Sequence, residues 1–145
     1  MKNNERSSPA LIKDETEMFR FAATFVQHIK PGDVVFLEGT LGAGKTTFVR
    51  GFLRALGYNG IVKSPTYTLV ETYSLDNHPT IHHFDLYRLK SPLELDHLGP
   101  DYYFTKKAIC FIEWPEKATK LLPQPTLQIS IDIKGHHRLA SQIKS

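Results

Sequence analysis

Gly39-Thr40-Leu41-Gly42-Ala43-Gly44-Lys45-Thr46 is a complete G-x-x-x-x-G-K-[ST] phosphate-binding loop, and its flanks are those its physics requires. Residues 34–37 before it are an apolar strand, and a helical pattern opens near Lys45 and runs through Phe48, Val49, Phe52, Leu53 and Leu56 until Gly57 stops it. Glycines at 42 and 44 let successive backbone N–H groups turn into one concavity, and the helix N-terminus adds partial positive charge. Lys45 brings a full charge to the outer phosphates, and Thr46 offers a hydroxyl to magnesium. A Gly-rich turn matching by chance is the competing reading; the strand, the helix and the Lys-Thr pair together argue against it. The chain is expected to bind a nucleoside triphosphate.

Outward from the loop, Asp14 and Glu17 resemble a capping box, and Met18, Phe21, Ala22, Phe25, Val26 and Ile29 recur at helical spacing until Pro31-Gly32. Downstream, residues 67–73 and 80–86 read as two strands joined by the turn Leu75-Asp76-Asn77-His78-Pro79, the pattern of a hairpin. Ser91-Pro92-Leu93-Glu94 opens a short helix that Gly99-Pro100 closes. Residues 108–113 form a nearly continuous apolar run, as in a strand buried on both faces, and 127–133 alternate as in a strand with one face more exposed. Strands separated by helices predict an α/β sandwich with a mainly parallel central sheet and antiparallel additions. Ligands then belong at the carboxyl ends of the parallel strands, where Gly39 and Glu113 fall.

At 145 residues, 41% hydrophobic and 23% charged, the chain is expected to build one core, with residues 1–9 a disordered or loosely held extension and 10–145 a single domain. The lone Cys110 lies within an apolar run, which excludes an intramolecular disulfide and fits a reducing cytoplasm. A polar N-terminus and the absence of any long apolar stretch point away from export and from membranes. A net charge of +3 is spread over scattered residues, a solvated basic face rather than a nucleic-acid groove, and no DNA partner is expected. There is no internal repeat.

A triphosphate site needs a further acid for the magnesium shell, and Glu113, ending an apolar strand, meets that need; the plain alternative is a solvent-facing strand end. Trp114 beside it either walls the nucleotide pocket, anchors a partner or packs in the core. Asp85 is the candidate for orienting the attacking water or completing the magnesium shell, against the alternative of a local salt bridge with Arg88. Adjacent strand residues face opposite ways, so His82 and His83 cannot together bind a metal and are read as structural. Thr66, in Ser64-Pro65-Thr66, either senses the outermost phosphate through its hydroxyl or belongs to an ordinary turn.

Four motifs in order carry a resemblance: Leu41-Gly42-Ala43-Gly44-Lys45-Thr46-Thr47-Phe48, Ser64-Pro65-Thr66-Tyr67-Thr68-Leu69-Val70, His83-Phe84-Asp85-Leu86-Tyr87-Arg88 and Glu113-Trp114-Pro115-Glu116. In these the chain resembles the TsaE (YjeE) family of small ATPases, which are required for making threonylcarbamoyladenosine on tRNA. The resemblance runs from about Asp14 to about Ile133 and implies a three-layer P-loop NTPase-like sandwich. It implies that Lys45 and the backbone of Gly42, Ala43, Gly44, Lys45, Thr46 and Thr47 hold the phosphates of ATP, with ADP as product. It further implies that Thr46 and Glu113 hold Mg2+, that Asp85 supports hydrolysis and that Thr66 belongs to a switch-like loop. Base-side contacts are expected from Glu15 and, in the last third of the chain, from Arg138.

Two departures stand out. Thr40 replaces the acidic residue that usually follows the first loop glycine, with binding expected to survive. The chain stops soon after the expected last strand, and a short tail is not expected to touch the ATP site. The implied role is an accessory ATPase, cytoplasmic, that docks on a complex of TsaD and TsaB and resets it between turnovers, with tRNA met indirectly through that complex. No residue is placed as an acyl-transfer nucleophile, which agrees with such a role. The alternatives are a small-molecule kinase, against which stands the lack of an Arg-rich lid, and a nucleotide-dependent binding module whose hydrolysis is incidental.

Overall fold

The computed structural model describes residues 5–144. Its eight strands form one sheet: β1 (Glu5–Arg6), β2 (Ala10–Ile12), β3 (Val34–Glu38), β4 (Val70–Tyr73), β5 (Thr80–Asp85), β6 (Ala108–Glu113), β7 (Leu127–Lys134) and β8 (His137–Lys144). The order is β1-β8-β7-β3-β6-β5-β4, with β2 also pairing with β8. The four central strands, β7, β3, β6 and β5, run parallel, whereas β4 and β8 are antiparallel additions, as the sequence predicts.

Helices cover both faces. α1 (Glu15–Ala23) and α2 (Lys45–Leu56) lie on one, where Phe48, Phe52 and Phe111 pack edge to face beside Val35, Leu37, Ile129 and Ile131. α3 (Pro92–Leu98) and the chain after β6 cover the other, where Leu89, Leu95 and Leu122 meet Val34, Phe36, Phe84, Cys110 and Ile112. β6 is buried along its whole length, the consequence of a parallel strand sandwiched between two helical layers.

Several boundaries differ from expectation, each for a local reason. α1 ends at Ala23 instead of near Ile29 as the backbone tightens to i→i−3 bonds, Phe25 N–H to Ala22 O and Val26 N–H to Ala23 O; residues 24–28 continue as turns, and Phe25 and Ile29 are still buried. The strand expected over 67–73 begins only at Val70. Leu69 takes a left-handed φ of 70°, and its N–H bonds Pro65 O at 2.9 Å, so 65–69 curl over the end of β5. A second short helix, α4 (Pro100–Tyr103), follows α3 directly, with Pro100 starting a helix as well as ending one.

The tail corrects the expectation of a chain that finishes with β7. Gly135-His136 form a two-residue hairpin loop, φ 60° at Gly135, and β8 folds back along β7 from Lys134 to Gln128. Of the expected loose extension, residues 1–4 lie outside the described residues, while Glu5 and Arg6 pair with Lys144 and Ile143, and the Ser7 N–H bonds Gln142 O.

Helices α1 and α2 approach closely at Gly51, where an added Cβ meets Phe19 Cα at 2.9 Å and Ala22 Cβ at 3.1 Å. Gly51→Ala should therefore cost about 1–2 kcal/mol, overpacking outweighing alanine's better helix propensity, which urea unfolding will measure. Burial pushes the Cys110 thiol up to about 12. Iodoacetamide near neutral pH should leave Cys110 unmodified in the folded protein and alkylate it in guanidinium, as read by mass spectrometry.

Candidate active site

Parallel pairing assembles the site before any side chain takes part. Leu37 of β3, Glu113 of β6 and Asp85 of β5 occupy one row of the sheet, at or next to the carboxyl ends of their strands. Residues in one row point to one face, here that of Leu37, which is the α2 side. Both acids therefore face the start of α2, whose first residues are Lys45 and Thr46. The loop between β3 and α2 turns at Gly44, whose φ of 109° only glycine adopts without strain, and no side chain caps the helix. Its leading N–H groups are left for an anion.

Lys45 is 4% exposed, and its ammonium donates to Gly39 O at 2.5 Å and lies 3.8 Å from the centre of the Trp114 ring. Burial lowers its pKa, against the opposing pull of Glu113, Asp85 and Glu116. Trp114, at a left-handed φ of 58°, is turned onto this lysine and onto Tyr87, 5.0 Å between ring centres. It walls the loop while its inner edge packs on the α3-side core.

Glu113 is buried, which removes the reading of a solvent-facing strand end. Its Oε2 accepts from the Thr46 hydroxyl at 2.8 Å and lies 2.5 Å from His83 Nε2. Asp85 accepts from the Tyr87 N–H at 3.0 Å and, more weakly, from the Thr66 hydroxyl at 3.4 Å. Burial raises its pKa, and the nearby Glu113 adds to the rise, while the Tyr87 hydrogen bond, His83 and Lys45 oppose it. Arg88 does not pair with it: the guanidinium sits 4.4 Å from the Tyr67 ring centre and donates to the Tyr67 hydroxyl. The left-handed Leu69 brings Thr66 to Asp85, with Ser64 Oγ 2.7 Å from the Thr66 hydroxyl.

On the outer side of the loop, a cavity of about 220 Å3 is lined by Asp14, Glu15, Gly42, Thr47, His136 and Arg138, among others. Glu15 stands at its rim and pairs with Arg50 at 3.5 Å. Arg138 donates to Ala43 O and Gly42 O, each at 3.2 Å, so the tail does touch the phosphate loop, contrary to expectation. The reason is the β7–β8 hairpin, which returns the chain to the loop from Ile133, paired with Arg138.

His82 is structural as read, bonded to the Thr72 hydroxyl at 2.8 Å and packed on Tyr103. His83 is not simply so: it belongs to the site through Glu113. Strand alternation carried that signal, since His83 shares the face of Asp85; the β5–β6 pairing that brings it to Glu113 is not visible in the motif. The Gly135-His136 turn was likewise the available signal for β8, which carries the Arg138 expected from the family resemblance.

As a magnesium site the donor set is consistent. Thr46 Oγ1 and Glu113 Oε2 are hard oxygens side by side, and magnesium takes one or two such ligands with phosphate and water completing its shell. Among the described residues no three His, Cys, Asp or Glu side chains gather to hold a metal by themselves.

Known proteins that resemble this chain share its family and its fold. The family model described as threonylcarbamoyl adenosine biosynthesis protein TsaE matches residues 12–141. The tRNA threonylcarbamoyladenosine biosynthesis protein TsaE of Haemophilus influenzae is 47% identical over 126 residues, covering 83% of this chain and 79% of that protein. Its counterpart in Bacillus subtilis is 46% identical over 106 residues, covering 73% of this chain and 65% of that one. The crystal structure of Bacillus subtilis YdiB superposes with a TM-score of 0.81 at 33% identity, over 99% of this chain and 88% of that one. Matched over nearly its whole length in sequence and in fold, the chain belongs to the TsaE family.

Proposed function

We propose that this chain is an ATP-binding and ATP-hydrolysing accessory protein of tRNA threonylcarbamoyladenosine modification, working in the cytoplasm on a complex of the TsaD and TsaB proteins and resetting it between turnovers. The observation that carries the ATPase part is the Thr46–Glu113 contact of 2.8 Å beside Lys45 and Asp85. A helix-start hydroxyl, a strand-end carboxylate, a loop lysine and a second acid are the parts that phosphoryl transfer to water needs. The modification part rests on family membership and on the names of the relatives. Contact with tRNA is indirect, through the partner complex. Among the described residues no helix is long and apolar enough to cross a membrane.

The residues divide the work. The free N–H groups at the start of α2 bind phosphate oxygens, and the Lys45 ammonium, held at the loop by Gly39 O, supplies the full positive charge. Thr46 and Glu113 hold magnesium, which when bound neutralises charge on the outer phosphates. Asp85 accepts a hydrogen bond from the attacking water, and its raised pKa makes it a stronger acceptor than an exposed aspartate. The water oxygen bonds to the terminal phosphorus as the bond to the ADP oxygen breaks; one water proton leaves through Asp85 to solvent and the other departs on the released phosphate. Thr66, tied to Asp85, places its loop where it responds to the terminal phosphate. Glu15 and Arg138 line the cavity assigned to the base side of the nucleotide.

Lys45→Ala should weaken ATP binding about 10–100-fold, the value of a lost charge-assisted contact, and abolish phosphate release, with an unchanged circular dichroism spectrum. Near-normal hydrolysis by a folded variant would remove the site assignment. Asp85→Ala should keep ATP affinity within a few-fold while turnover falls about 10²–10⁴-fold; a large affinity loss instead would move Asp85 to the ion shell. The accessory role is tested by phosphate release from magnesium-ATP by the chain alone and with TsaD, TsaB and tRNA, counting modified tRNA per complex. Repeated modification that depends on this chain and on Lys45 is expected; modification indifferent to both would sink the role.

A further inference from the structure

His83 is fully buried on β5, its Nε2 is 2.5 Å from Glu113 Oε2, and its Nδ1 has no hydrogen-bond partner among the described residues. An unpaired buried nitrogen costs about 1–3 kcal/mol, and an apolar side chain in this core would avoid that cost. What the imidazole supplies that an apolar side chain cannot is a donor to Glu113. The same carboxylate oxygen accepts from the Thr46 hydroxyl at 2.8 Å, so two donors from different elements, β5 and α2, converge on Oε2. A carboxylate can only accept, so Nε2 carries a proton in this contact.

A glutamate has three side-chain torsions, and Thr46 alone restrains only the tip of the carboxylate. His83 differs as a restraint: it is rigid, sits on a central strand and is shielded from water that would compete for the oxygen. We propose that His83 is a positioning residue, holding the Glu113 carboxylate against Thr46 so that magnesium brought by the nucleotide meets a ligand already in place. This rests on the reading of Glu113 as a magnesium ligand. The partners that orient a metal ligand commonly carry 10–100-fold in metal affinity.

The experiment measures ADP binding by calorimetry across a magnesium titration, and in EDTA, for the unmutated chain and for His83→Gln, His83→Asn, His83→Ala and Glu113→Ala. Turnover is not involved. A glutamine amide reaches about as far as Nε2 and can donate to Glu113, whereas an asparagine amide corresponds to Nδ1 and falls short. His83→Gln should titrate within about threefold of the unmutated chain, and His83→Asn and His83→Ala should need about 10–100-fold more magnesium, with ADP affinity in EDTA changed less than about twofold. Equal loss in Gln and Asn would overturn the proposal, since it would mean packing rather than the donor. So would titrations of the Asn and Ala variants that match the unmutated chain while Glu113→Ala is shifted, with the reading of Glu113 left standing. An unshifted Glu113→Ala would remove both. If His83→Ala does not fold, the difference between Gln and Asn decides alone.

Discussion

The site depends on the parallel register that puts Leu37, Glu113 and Asp85 in one row. Parallel strands of one sheet end on the same side, and residues in one row share a face, so the pairing alone brings two acids from distant segments to the start of α2. A slip of one residue in β6 would turn Glu113 to the α3 face and bring Ile112 in its place. The packing of Phe111 against Phe48 and Phe52, two residues before Glu113 on the same face, makes that slip costly. The apolar core and the polar site are therefore set by one register.

Burial is what gives these side chains their chemistry. Lys45 and Asp85 both have their charged forms disfavoured by desolvation, and each is partly rescued by the other. Glu113 and Asp85 repel within the same small volume, and Glu116 adds a further negative charge near Lys45. One buried ammonium set among several carboxylates leaves the site with an excess of negative charge that a further cation would offset. Trp114 contributes by lying over the lysine, where its ring face replaces water with a polarisable surface.

Much of this was legible along the chain, because it depends on local spacing. The loop, its strand and its helix occupy consecutive residues, and a turn that must present N–H groups has few sequence solutions. The N-cap at Asp14, the helix after Ser91 and the doubly buried β6 follow from neighbours within a few residues. Elements that depend on distant partners were less legible. β8 has only scattered apolar residues and is a strand because β7 offers it an edge; with it comes Arg138, 96 residues from Gly42 yet bonded to it. The curl over 65–69 replaces three residues of expected strand because Leu69 turns left-handed and its N–H goes to Pro65 O.

The amino-acid sequence by itself determined the phosphate loop, the α/β class with a parallel centre, and the identities of Lys45, Thr46, Asp85 and Glu113 as candidates, since each stands in a local pattern whose chemistry is read over short spacing. Only the tertiary structure decided that Arg88 turns to Tyr67 and not to Asp85, that Trp114 lies on Lys45, that the tail returns to the loop, and that His83 shares Oε2 of Glu113 with Thr46. The reason is physical: a hydrogen bond between side chains on different strands is fixed by strand order, register and burial, and these are settled by the whole core together, not by the residues adjacent in the chain.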